Sequence, residues 1–163
     1  MSKMIPLTLG KFAIVDDEDY EKVNRWKWSA KKIGHTYYAV RGFRKEGKQI
    51  QIYMHRFIMG AASNQEVDHR NRFGLRNEKG NLRICTRSQN NQNRKKIITN
   101  NYGGTSKYKG VDWDKRRSKW RAQIRHNYKT FFLGRFDDEI EAARKYDEKA
   151  LDIFGEFARL NNV

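Results

Sequence analysis

The chain of 163 residues carries 35 Lys and Arg against 19 Asp and Glu, a net charge of +16, with 37% hydrophobic and 13% aromatic residues. A polyanion relieves self-repulsion of that size, so nucleic acid is the first partner to consider, an anionic membrane surface the second, and plain solubility the bland alternative. The aromatic content argues against a disordered basic tail, the single Cys85 excludes an intrachain disulfide and a Cys-rich zinc site, and no apolar run approaches a membrane span.

The N-terminus has no long apolar stretch and turns acidic at Asp16, which predicts a protein without a signal peptide, located in the cytoplasm. Residues 12–15 (FAIV), 36–43 (TYYAVRGF) and 49–55 (QIQIYMH) read as strands, and 17–26 as a short helix opened by acids. YMHRFIMG passes from strand into helix. EVDHRN then reads as a short strand and NLRICT as a second one. RSQNNQNRKK reads as a helix with Thr86 or Ser88 near its N-cap.

The stretch TNNYGGTSK at 99–107 holds turn residues without apolar periodicity, which places a boundary near residue 103. Beyond it KYKGVDW, KWRAQIRHN and KTFFLGRF read as three strands, the last two joined by a tight turn at HNYK. The segment 137–157 reads as one helix, with Ile140, Ala143, Tyr146, Ala150 and Ile153 as its buried stripe. Residues 107–135 hold ten Lys or Arg against two acids, whereas 136–163 hold four against eight. A basic sheet backed by an acidic helix has one face for a polyanion.

Hydrolysis of a phosphodiester requires a base that titrates near neutrality and a cation at the phosphate oxygens, commonly Mg²⁺ on oxygen ligands. Asp68, His69, Asn81 and Asn90 could supply this from strand, loop, strand and helix; Asn81 lies twelve residues after His69, and Asn90 nine further on. Alternation sets Asp68 and His69 on opposite faces unless the strand twists or ends there. The competing interpretation is a basic hairpin whose asparagines satisfy turns.

The pattern DH–x11–N–x8–N, with MHRFIMG before it, resembles the HNH endonuclease family, specifically its homing-endonuclease branch and the HNN variant. The resemblance implies a ββα-metal unit. Asp68 and Asn90 would be metal ligands, His69 the general base and Asn81 the brace that keeps His69 oriented. The metal would be Mg²⁺, with Mn²⁺ as a substitute and no zinc. Arg70, Asn71, Arg72 and Phe73 replace the family's usual small turn, and Arg76 stands where an acid is common. Arg70, Arg72, Arg83, Arg87 and Arg94 are candidates for phosphate contacts. His55 and Arg56 are possible accessories to the site, a core role for His55 being equally open.

In the downstream part, alternation directs Trp120, Ala122 and Ile124 toward the helix and Arg121, Gln123 and Arg125 outward, where Arg can pair with guanine and Gln with adenine. Phe131 and Leu133 are expected in the core and Phe132 outside. YKGV, KWRAQI, FLGRF, EAARKYDEKA and FARLN resemble the Apetala/ethylene-response-factor DNA-binding domain, which also occurs fused to HNH nucleases of phages and organelles. By that resemblance Lys109, Gln123, Arg125 and Phe132 correspond to DNA contacts. Asp112 and Asp114 replace two usual arginines, and Arg116 and Arg117 are candidates for phosphate.

The expected architecture is therefore α+β: a strand-rich region at 1–49, an HNH unit at 50–98, a linker at 99–106, and a three-stranded antiparallel sheet on one helix at 107–163. The expected partner is double-stranded DNA, cut by a metal-dependent enzyme leaving 5′-phosphate and 3′-hydroxyl ends. No heptad or long apolar stripe argues for a dimer, and no membrane partner is expected. A DNA-binding regulator that does not cleave, and an RNA binder, are the alternatives.

Overall fold

The structure, a computed structural model, describes residues 1–96 and 105–163. The boundary expected near residue 103, and most of the expected linker, lie outside the described residues. Two compact units are present, Met1–Asn90 and Asn91–Val163.

In the first unit β1 (Ser2–Pro6) pairs antiparallel with β2 (Phe12–Asp16), and α1 (Asp17–Asn24) follows directly, its first turn rich in acids that suit the helix dipole. β3 (Ser29–Ile33), β4 (Thr36–Lys45) and β5 (Lys48–Tyr53) form an antiparallel sheet in the order β3-β4-β5. α2 (Met54–Met59) ends at Gly60, in the left-handed region at φ 60°. β6 (Glu66–His69) and β7 (Leu82–Cys85) form an antiparallel pair, and α3 (Arg87–Gln92) completes a ββα order. One hydrophobic core holds Ile5, Val15, Val23, Trp28, Ala39, Met54, Val67 and Leu82, so the strands before residue 50 and the ββα elements are packed as one body.

In the second unit β8 (Val111–Asp114), β9 (Lys119–His126) and β10 (Lys129–Phe136) form an antiparallel sheet in the order β10-β9-β8. α4 (Glu139–Phe154) covers one face. Asp138 caps it, its Oδ1 accepting from Ile140 N at 2.5 Å and Glu141 N at 3.0 Å.

The inward stripe of α4 is Ala142, Ala143, Tyr146, Ala150 and Phe154; Ile140, expected in it, is 41% exposed because it sits in the first turn. Ala122 and Ile124 are buried as alternation predicts. Phe131 is 40% exposed on an edge strand, and a bulge between Phe132 and Gly134 resets the alternation, leaving Leu133 against the core.

Candidate functional site

The β6–β7 pair aligns Asp68 with Arg83, Glu66 with Cys85 and His69 with Leu82. Alternation puts Glu66, Asp68 and Arg83 on one face and Val67 and His69 on the other. Asp68 is buried, and its Oδ2 accepts from Arg83 Nε at 3.0 Å and Nη2 at 2.6 Å. Arg83, expected at a phosphate, is itself buried in this pair. α3 begins with a reciprocal cap: Gln89 N donates to Thr86 Oγ1 at 3.2 Å, and Thr86 N to Gln89 Oε1 at 2.8 Å. This start places Asn90 over the same face, where its Nδ2 donates to Glu66 Oε2 at 2.5 Å.

His69 is buried at the end of β6 with its Nε2 3.2 Å from Oδ1 of the fully buried Asn77. The His55 ring stands 4.9 Å from the His69 ring, edge to face, and Tyr38 lies 5.8 Å away. Burial lowers the His69 pKa, while the bond to Asn77 and the Asp68 charge pull it back up. The neutral imidazole, the form that accepts a proton, is therefore favoured. Burial, then the neighbouring His69 and Arg56, push His55 down to about 3. Sequence reading missed Asn77, because Arg76-Asn77-Glu78 has the look of a solvated loop. Glu66 opens a segment read as a strand, and its contact with Asn90 was not legible in the spacing.

Asn81 ends a 3-10 turn, Lys79–Asn81, just before β7. Its Oδ1 accepts from Asn71 N at 3.0 Å, its Nδ2 donates to Arg76 O at 2.7 Å, and its carbonyl accepts from Arg70 N at 2.8 Å. Both ends of the loop after His69 are thus tied to one side chain. Gly74 is needed within that loop: a Cβ there would lie 2.6 Å from Tyr37 O and 2.7 Å from the Tyr38 ring. Arg70, Arg72, Arg87 and Arg94 are exposed. Arg56 instead donates to Gln65 O at 2.5 Å and Ala62 O at 2.8 Å, closing the loop after α2.

Asp68 and Glu66 set carboxylate oxygens on one face, with the Asn90 amide bonded to Glu66, a set that suits a hard divalent cation. Among the described residues no group of three or more His, Cys, Asp and Glu forms a cage. A magnesium-type ion needs none, since it keeps most of its water and takes one or two carboxylates. Burial raises the Cys85 thiol to about 11, so near neutrality it is protonated.

In the second unit the outward face of the sheet carries Arg121, Gln123, Arg125, Phe132 and Arg135. Phe132 is 56% exposed, and Arg125, Arg116 and Arg117 are exposed as well. Asp112 lies opposite Arg121 and accepts from its Nη2 at 2.6 Å and Nε at 3.1 Å; Gln123 Nε2 reaches the same carboxylate at 3.4 Å. Arg135 donates to Asp114 at 2.8 Å, with its guanidinium 4.8 Å from the Phe132 ring centroid. Lys109 behaves differently from the sequence expectation. Its ammonium donates to Gln92 O at 2.5 Å and Arg94 O at 3.0 Å, and burial lowers its pKa to about 8. Asn161 fastens the backbone there, with Lys109 N donating to its Oδ1 at 2.6 Å.

Residues 106–156 match the AP2 domain family. Over 160 residues the chain is 28% identical to an uncharacterized HNH endonuclease of Acanthamoeba polyphaga mimivirus, covering 94% of this chain and 76% of that protein. No solved structure matches the chain. No helix among the described residues is long and apolar enough to cross a membrane. The domain match and the relative together support an HNH-plus-AP2 architecture for this chain.

Proposed function

We propose that the protein is a metal-dependent endonuclease that binds double-stranded DNA and hydrolyses its phosphodiester bonds. The observation that carries this reading is His69: buried, oriented by Asn77, and close enough to Asp68 to feel its charge. His69 is the last residue of β6, where strict alternation of faces ends, and from there it would take the proton from the attacking water. Asn81 would hold the loop that follows it, and Asn77 would fix the imidazole. Asp68 and Asn90 would hold the cation, which supplies positive charge to the phosphate and the leaving oxygen. Arg70 and Arg72 would sit along the DNA backbone, and the sheet face of Arg121, Gln123, Arg125 and Phe132 would read the duplex.

Supercoiled plasmid incubated with Mg²⁺ or Mn²⁺ tests this directly. Wild type should nick or linearise it, and EDTA or His69→Ala should stop cleavage without stopping binding. A regulator that binds without cutting is the second reading, favoured by the Asp68–Arg83 pair, which occupies a carboxylate needed for the metal. Binding by wild type with intact plasmid under every metal would establish that reading.

A further inference from the structure

We propose that the second unit contains a phosphate-binding cleft separate from its DNA-facing sheet, with Arg159 as its principal donor. The cleft has a volume of about 430 Å³ and is lined by Lys95, Lys96, Lys107, Lys109 and Arg159, together with Tyr108 and the 160–163 segment. That volume lies within the roughly 300–1,000 Å³ usual for small-ligand sites. No Asp or Glu side chain is in the lining among the described residues. Five basic side chains therefore line the cleft, while the nearest carboxylates stand behind it: Asp147 is bonded to Asn161 and Asn162, and Asp112 and Glu139 act on Lys96 from a distance.

Arg159 lines the cleft, and its Nη1 is buried without a hydrogen-bond partner, so the guanidinium keeps donor capacity that its own fold does not use. The two inner lysines cannot turn away to solvent. Lys96 Nζ donates to the carbonyls of Ser106, Tyr108 and Val111 at 2.8–2.9 Å, and Lys109 Nζ to those of Gln92 and Arg94. Burial lowers both their pKa values, and for Lys109 no acid offsets it. Lys95 and Lys107 are exposed and complete the mouth. A tetrahedral oxyanion answers these needs together: it accepts from Arg159, neutralises the lysines and bonds the planar guanidinium fork well.

The phosphate could belong to a DNA strand or to a free phosphate ester, and two measurements on the full chain separate them. Duplex binding is followed by fluorescence anisotropy against salt for wild type, Arg159→Met, Arg159→Lys and Lys95→Gln/Lys107→Gln. The thermal midpoint is followed against inorganic phosphate at constant ionic strength. If the cleft holds a DNA phosphate, Arg159→Met weakens every duplex by roughly fivefold at about 0.15 M salt and lowers the salt slope by about 0.9. Arg159→Lys then retains most of the affinity. If the source is free phosphate, the anion raises the wild-type midpoint but not that of Arg159→Met, and duplex affinity is unchanged. The phosphate titration requires neither DNA binding nor cleavage, so it fails separately from the nuclease reading. Should Arg159→Met not fold, the double lysine variant gives the same two readouts. Unchanged slope and unchanged phosphate response in the folded variants overturn the proposal.

Discussion

Asp68 and Arg83 face each other across the β6–β7 pair as a buried ion pair, their side chains 7% and 6% exposed. Each sets an opposite charge beside the other at that depth. Arg83→Met should therefore cost about 3–5 kcal/mol, most of it from the buried carboxylate that loses its guanidinium, and Asp68→Asn/Arg83→Met should recover part of the loss. Urea unfolding of the two single variants and the double variant measures this. Equal stability of Arg83→Met and the double variant would refute it. Mg²⁺ should raise the midpoint of Arg83→Met more than that of wild type, because it replaces the missing positive charge.

His55 predicts an acid-sensitive first unit. Its folded pKa, about 3, lies below the ordinary 6.5, so between those values the unfolded chain binds the proton and the folded chain does not. Stability contributed by the neutral ring is complete above 6.5 and is lost as pH falls, with a slope of about 1.4 kcal/mol per pH unit. His55→Leu removes that slope but keeps the part due to His69. Unfolding free energies at several pH values between about 4 and 6 should therefore run flatter for His55→Leu than for wild type.

Asp112 and Asp114 should restrain the sheet's grip on DNA. Asp112→Asn releases Arg121, and Asp114→Asn releases Arg135, each adding a cation for phosphate. The salt slope should steepen by about 0.9 for each replacement, and affinity for unrelated duplexes should rise together. Loss of discrimination between two unrelated duplexes would accompany it, since a held guanidinium reads a base edge better than a loose one. Anisotropy titrations on both duplexes decide the matter; an unchanged slope would show that the carboxylates do not restrain the arginines.

Gly110→Ala should unfold the second unit selectively. The backbone there has φ +76°, and a Cβ would lie 1.9 Å from Tyr146 Cδ2, inside the ring that fills the sheet–helix core. The expected cost is about 2–4 kcal/mol from overpacking and the disfavoured backbone. Hydrogen exchange should accelerate across 106–161 while residues 1–90 keep their protection.

The second unit was legible because its sequence obeys simple periods: alternation along β9 and a three-four stripe along α4. The first unit was harder. β1 and β3 escaped notice because SKMIP buries only Ile5 and SAKKI buries no residue fully. Their partners β2 and β4 hold them in place. The Asp-His-Asn-Asn spacing showed where to look, but the Asp68–Arg83 pair depends on register, which spacing does not contain. Asn77 depends on a loop path set by distant residues. The aspartates at 112 and 114 were visible as departures, yet their hold on Arg121 and Arg135 emerges only when the strands are side by side.

The loop that follows His69 is not held by the ββα elements alone. Ile14 N donates to Leu75 O at 2.8 Å, Asn77 N donates to Ile14 O at 2.7 Å, and Lys79 N donates to Asp16 Oδ2 at 2.7 Å. A strand near the start of the chain is thus sewn to the turn that carries Asn77. The Asp-His-Asn-Asn motif of this protein is consequently not a portable cassette. A graft beginning at residue 50 would carry every motif letter and lose the stitches that aim the imidazole; a working minimal fragment must keep β1 and β2.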